Sequence, residues 1–240
     1  RTLDVTPIEP LRVKTFDLYQ RIKPREKTGD PVSIVDIDEK QANIAKSSLE
    51  SLGVQTTIFV GDVGEITTSR LSVNKLIDTW GRIDILINNA GILKIVSFDE
   101  GEIEDLNELW KVNVVAPFYL TKLCLPHIKK TNNGRIINIA STDGKRYRES
   151  VSVGYSMVKH ALISMSHATR NAGWDDGIRV TAICPGAVDT SLLNGIPGIT
   201  ASKDRLKPET IAYTVAYILS LPNTASVSEL PINTRLESTI

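Results

Sequence analysis

From Pro31 onward, short apolar runs alternate with longer amphipathic stretches, and this alternation limits the fold more than any other property of the chain. Val32 to Ile37 is followed by helical spacing from Glu39 to Leu52, Thr56 to Val60 by helical spacing from Ile66 to Trp80, and Ile83 to Ile87 comes next. Such runs have the length of strands, and strands buried on both faces are apolar almost throughout. Downstream, Glu104 to Lys129 predicts a long helix, Arg135 to Ile139 a strand, Gly154 to Ala172 a helix, and Arg179 to Ile183 a strand stopped by Pro185-Gly186. A loop with Gly195, Pro197 and Gly198 then leads to a helix over Pro208 to Leu221 and a closing strand over Ser226 to Ile232. Repeated strand–helix–strand units return each strand parallel to the last through a right-handed crossover, so helices must cover both faces. The expected architecture is α/β: a doubly wound parallel sheet of the Rossmann type, three layers α/β/α, in one domain over residues 1–240.

A chain of 240 residues suits one such domain, and folding at that size buries about 70–75% of the surface the unfolded chain exposes. The 28 basic and 28 acidic residues balance, which leaves no electrostatic footprint for nucleic acid or an anionic membrane, and neither is an expected partner. Cys124 and Cys184 stand in apolar surroundings without His at ligand spacing, so they read as core residues, and no metal is expected. The sequence has no run long enough to span a bilayer and no apolar segment of the secretory kind near Arg1, so a cytoplasmic enzyme is the expectation.

Ligands of an open parallel sheet bind just outside the carboxyl ends of its strands. At such ends stand Asn88-Asn89-Ala90-Gly91, Ser141 and Pro185-Gly186, while Asn113 falls within the long helix. In Gly154-Tyr155-Ser156-Met157-Val158-Lys159 a phenol and an ammonium are four residues apart and share a helix face. A lysine there stabilises the phenolate and draws a pKa of about 10 toward neutrality, which makes Tyr155 a candidate general acid/base. Read alone, the same spacing also fits a half-buried tyrosine over a surface lysine. Asp36, at the end of its strand, can accept both hydroxyls of an adenosine ribose and repel a 2′-phosphate, or it can cap the next helix together with Asp38 and Glu39. His127, His160 and His167 show no spacing to a partner and read as helix-surface residues, and Trp174 reads as packing at a helix end.

In their order and spacing these motifs resemble those of the single-domain short-chain dehydrogenases/reductases, from roughly Pro31 to the C-terminus. The resemblance implies an NAD(P)-dependent oxidoreductase that moves a hydride between a nicotinamide and the carbonyl or alcohol carbon of a small-molecule substrate. Its catalytic set falls on Asn113, Ser141, Tyr155 and Lys159, with Thr142 as the alternative to Ser141. Tyr155 exchanges the proton on the substrate oxygen, Ser141 hydrogen-bonds that oxygen, Lys159 holds the nicotinamide ribose and lowers the tyrosine pKa, and Asn113 bends its helix and holds a water. The cofactor contacts fall on Asp36 and Ile37, Asp62 and Val63, Asn89, Ala90 and Gly91, Tyr155 and Lys159, and Pro185, Gly186, Val188 and Thr190. The carboxylate at Asp36 favours NAD over NADP. Ser191 to Lys203 corresponds to the lid over the substrate, and pairing of the two long helices implies homodimers or homotetramers.

The chain departs from that family at its start. A Thr-Gly-x-x-x-Gly-x-Gly turn, whose glycines let backbone amides approach a pyrophosphate, is absent, and the first glycine is Gly29. One reading is that Arg12, Lys14 or Arg21 supplies the lost contact with charge. The other is a catalytically silent scaffold or binding protein, or a first thirty residues that are not native. A central strand is also required, because its absence leaves unpaired backbone on both neighbours, and Thr2 to Thr6 or Leu11 to Phe16 is expected to supply it.

Overall fold

The computed structural model describes residues 31–99, 101–147, 152–194, 196 and 199–235. Six strands and their crossover helices alternate along these residues. They are β1 (Val32–Asp36), α1 (Glu39–Ser51), β2 (Thr56–Val60), α2 (Ile66–Trp80), β3 (Ile85–Asn88), α3 (Ile103–Trp110), α4 (Ala116–Lys129), β4 (Arg135–Ile139), α5 (Val153–Gly173), β5 (Arg179–Pro185), α6 (Pro208–Ser220) and β6 (Glu229–Ile232).

Every pairing is parallel, with β1 beside β2 in one sheet and β3-β4-β5-β6 in the other. Among the described residues nothing pairs with the free edges of β1 and β3. The segments expected to fill that position, Thr2 to Thr6 or Leu11 to Phe16, lie outside the described residues.

Residues along β4 and β5 alternate between two buried faces, as the pleat requires. Ile136 and Val180 pack with Cys124 and Ile128 of α4. Ile137 and Ile183 turn the other way, onto Ile211, Val215 and Ile218 of α6. On the smaller sheet Ile34 packs against Ala42, Ala45 and Leu49 of α1. Both cysteines are buried free thiols. Burial raises Cys124 to about 12 and Cys184 to about 11, which keeps both as thiols. Among the described residues no helix is long and apolar enough to cross a membrane.

Local chemistry sets the element ends that matter for the site. Asp38 caps α1 by accepting the Gln41 amide at 3.1 Å. Ser152 caps α5, accepting from Tyr155 N at 3.2 Å and from Val96 N at 2.9 Å, and so ties the tyrosine helix to the loop after β3. The long helix expected over Glu104 to Lys129 begins at Ile103 and is interrupted: between α3 and α4 the turn Lys111–Val115 is π-helical. Asn113 sits in that wider turn, and such single-turn bulges occur often at functional sites.

Candidate active site

The carboxyl ends of β3, β4 and β5 open onto one cavity of about 320 Å³. Of the residues expected from sequence, the cavity brings together Asn89, Gly91, Ser141, Tyr155, Lys159, Pro185, Gly186, Val188 and Thr190. Thr142 is fully buried and does not border it.

Tyr155 and Lys159 enter from α5 and are both almost inaccessible to solvent. The Lys159 ammonium stands 5.5 Å from the centroid of the Tyr155 ring and donates to the Ile139 carbonyl at 3.1 Å. Burial lowers its pKa to about 8. Burial first, and the Asp143 charge second, hold the Tyr155 phenol well above its usual value, with a hydrogen bond to Ser141 opposing both. The sequence expectation ran the other way, with Lys159 lowering the phenol. In this structure desolvation dominates both groups, because each loses water and neither makes a direct bond to the other.

Ser141 ends β4 and starts a short 3₁₀ turn, Thr142–Gly144. Its hydroxyl accepts from Asp143 N at 3.1 Å and lies 3.4 Å from the Asp143 carboxylate. The turn lies directly on α5: a Cβ at Gly144 would meet the Lys159 carbonyl oxygen at 2.7 Å.

Asn113 does not border the cavity but reaches it through Gly91. Its amide donates to Leu109 O and Ile92 O, each at 3.0 Å, while its buried Oδ1 has no hydrogen-bond partner. A Cβ at Gly91 would fall 2.9 Å from that Oδ1 and 3.4 Å from Lys159 Nζ. The absent side chain therefore leaves room where a polar oxygen and an ammonium approach each other.

The remaining expected contacts lie at the ends of β1, β2 and β3, away from the cavity wall. Asp36 accepts from Asp38 N at 2.8 Å, so it shapes the turn while Asp38 does the capping. Burial raises its carboxyl above the usual carboxylate value. Ile37 and Ala90 are exposed, and Val63 is half-buried. Asp62 accepts from Gly64 N at 2.8 Å.

In the expected lid, Leu192, Leu193, Ile196 and Ile199 border the cavity, whereas Gly195, Pro197 and Gly198 lie outside the described residues. Its base is fixed by Asp189, which accepts from Ser202 at 2.7 Å and Lys207 at 3.0 Å.

Asp143 borders the cavity beside Ser141, whose hydroxyl caps the 3₁₀ turn. One feature went unread in the sequence. His167, expected to be without a partner, pairs with Glu229 at 2.5 Å, and Lys145 pairs with the same carboxylate. No local spacing reports a partner 62 residues away.

The sequence profile described as short chain dehydrogenase matches residues 25–197. The chain belongs to the short chain dehydrogenase family. The chain is 36% identical over 178 residues to an agropine synthesis reductase of Rhizobium rhizogenes, a match covering 74% of the chain and 41% of that protein. It is 35% identical over 162 residues to an uncharacterized oxidoreductase of Thermotoga maritima, covering 68% of the chain and 63% of the relative. It spans about two-fifths of the length of the agropine synthesis reductases it matches.

Among solved structures, the chain shares its fold with an alcohol dehydrogenase from the archaeon Thermococcus sibiricus complexed with 5-hydroxy-NADP. The TM-score is 0.80 at 23% identity, over 88% of this chain and 89% of that one. It also shares it with an L-sorbose reductase from Gluconobacter frateurii complexed with NADPH and L-sorbose, at a TM-score of 0.77 and 24% identity over 88% of each chain.

Proposed function

We propose that the protein is an oxidoreductase that interconverts a carbonyl and an alcohol with a nicotinamide dinucleotide, Tyr155 being the general acid/base. The observation that carries this reading is the meeting of Ser141, Tyr155 and Lys159 in one cavity, with Gly91 left bare beside them.

The residues present fit such a cofactor at its nicotinamide and ribose end. The open space at Gly91, the unpartnered Asn113 oxygen and the Lys159 ammonium offer a polar cradle that a Cβ would fill. When bound, the nicotinamide supplies or accepts the hydride. Asn89, Gly91, Pro185, Gly186, Val188 and Thr190 would line it, and Asp36, Ile37, Asp62, Val63 and Ala90 would meet its adenosine half. The residues that would hold the pyrophosphate in a glycine-rich turn have no counterpart among the described residues.

In the reducing direction Tyr155 donates its phenolic proton to the substrate oxygen, and Ser141 hydrogen-bonds that oxygen. The proton is needed only as charge develops there, so a phenol held protonated by burial is ready as the acid. Lys159, whose pKa of about 8 lies near neutrality, restores the proton. In the family role Asn113 holds the water through which it arrives. The apolar wall of Leu93, Leu192, Leu193 and Ile199 excludes bulk water and strengthens each of these interactions.

The Asp36 carboxylate supports NAD, since it can take both ribose hydroxyls and repels a 2′-phosphate. A second reading, NADP, draws support from the two solved structures of like fold, which carry 5-hydroxy-NADP and NADPH. Titration with NADH and with NADPH, followed by nicotinamide fluorescence and calorimetry, tests both readings. Tighter NADH binding that reverses in Asp36→Ser by about tenfold or more supports the first, because one lost bidentate ribose contact costs on the order of 1.5–3 kcal/mol. Tighter NADPH binding supports the second. Absence of binding by either overturns the oxidoreductase reading and leaves a silent scaffold.

A further inference from the structure

Glu229 opens β6 and joins two segments that lie beside the cavity, although it does not border the cavity itself. Its Oε1 accepts from His167 Nε2 of α5 at 2.5 Å, and its Oε2 accepts from the Lys145 ammonium. Its side chain is 20% exposed. Lys145 holds the carboxyl below the usual carboxylate range, outweighing burial, and His167 adds to that effect. Ion pairs on an open surface contribute little, because water competes for both partners. Here one carboxylate takes two donors from separate segments where water has only partial access, and such charge-assisted bonds fix geometry.

Lys145 follows the turn Thr142–Gly144 that Ser141 caps. The Lys145 N–H donates to Thr142 O at 2.9 Å and the Gly144 N–H to Ser141 O at 3.0 Å, so the lysine belongs to the same folded unit as Ser141. On the α5 side this unit is held by Ser156 Oγ, which donates to Asp143 O at 2.7 Å, and by Gly144 lying on the Lys159 carbonyl. On the sheet side it is held by Glu229. That anchor is stiff, since Glu229 stands in register with Ala182 of β5, and Ala182 N donates to Ser228 O at 3.0 Å. The Lys145–Glu229 bridge lies by β5, where both of its charges act on the Cys184 thiol. His167 ties the same carboxylate to the helix that carries Tyr155 and Lys159.

We propose that Glu229 is a positioning residue for the reaction, fixing through Lys145 the turn that presents Ser141 and through His167 the helix that presents Tyr155. This rests on the oxidoreductase reading above. The Ser141 hydroxyl and the Tyr155 phenol must meet one substrate oxygen, so the setting of the turn on the helix acts on the rate of reduction and not on cofactor affinity.

The test begins with amide exchange, followed by NMR on the ligand-free protein. In Glu229→Ala the amides of Asp143, Gly144 and Lys145 should exchange at least about tenfold faster, while those of Ile137 and Thr181 in the central strands keep their wild-type rates. Reduction of octan-2-one with NADH and with NADPH is measured alongside. In Glu229→Ala kcat should fall by about tenfold to a hundredfold, with cofactor dissociation constants within about twofold of the wild type. In the Ser141→Ala background the same change should alter kcat by less than about threefold, because the group it positions is already gone. Lys145→Met should reproduce these effects and carries the test if Glu229→Ala does not fold. Glu229→Gln, which keeps an acceptor oxygen for the lysine, should fall between the alanine variant and the wild type.

Unchanged exchange in the turn, uniform acceleration across the sheet, unchanged kcat, or an equal loss with and without Ser141 overturns the inference and leaves the oxidoreductase reading intact. Where cofactor binds but octan-2-one is not reduced, exchange decides: selective loosening of the turn supports the inference, and its absence overturns it. Absence of cofactor binding overturns both.

Discussion

Lys159 and Tyr155 lie one helical turn apart with the ammonium 5.5 Å from the ring centroid, yet the lysine gives its hydrogen bond to the Ile139 carbonyl and none to the phenol. Both groups are buried, and burial disfavours the charged form of each. The lysine therefore falls to about 8 and the phenol rises.

This pair produces a particular dependence of stability on pH. Lys159 titrates near 8 when folded and near 10.5 when unfolded, so between those values the unfolded chain binds more protons and stability increases with pH. Tyr155 acts oppositely but only above 10, where the unfolded phenol ionises first. Asp143 is the charged group that adds to the phenol's shift. Urea midpoints of the ligand-free protein should increase from about pH 8 to 10 relative to those of Lys159→Met. Parallel curves for the two proteins would show that Lys159 is solvated in solution.

Tyr155→Phe removes the proposed acid and keeps the ring. Turnover should fall by about 10²–10⁴, with cofactor dissociation constants little changed. Melting should report a loss of only about 1 kcal/mol, the net worth of one hydrogen bond. Retained turnover would exclude Tyr155 from proton transfer.

Gly91→Ala places a methyl group 2.9 Å from Asn113 Oδ1 and 3.4 Å from Lys159 Nζ. The Asn113 side chain must shift, while the methyl group stands in contact with the ammonium, and misplacement of catalytic groups by about 1 Å costs on the order of a hundredfold in rate. Turnover and NADPH titration of the alanine variant should both be impaired. An unaltered variant would mean that no ligand approaches this side of Gly91.

Asn138→Ala addresses the sheet beneath the site. The Asn138 side chain accepts from Asn88 Nδ2 at 2.7 Å and donates to Ser166 Oγ at 2.8 Å, joining β3, β4 and α5 inside the core. Losing two buried hydrogen bonds and leaving their partners without them should cost about 2–4 kcal/mol, read as a lower urea midpoint. A loss below about 1 kcal/mol would show that water replaces the side chain.

Much of the fold was legible because it depends on local periodicity. Each described strand and helix coincides with an expected stretch to within a few residues, since apolar runs and amphipathic spacing report burial directly. The strand ends then located Ser141, Gly91 and Pro185, because parallel sheets place such residues along one edge. The interruption at Asn113 was suggested by family resemblance; the spacing alone reads as one continuous helix from Glu104 to Lys129.

By itself the sequence determined the alternation of strand and helix, the helix face shared by Tyr155 and Lys159, and the residues that reach the carboxyl edge, all of them consequences of spacing over a few residues. Only the tertiary structure decided the direction of the pKa shifts and the joining of His167 and Lys145 to Glu229. Those depend on how much water each group loses and on which distant segment packs against it, and both are set by the packing of the whole chain.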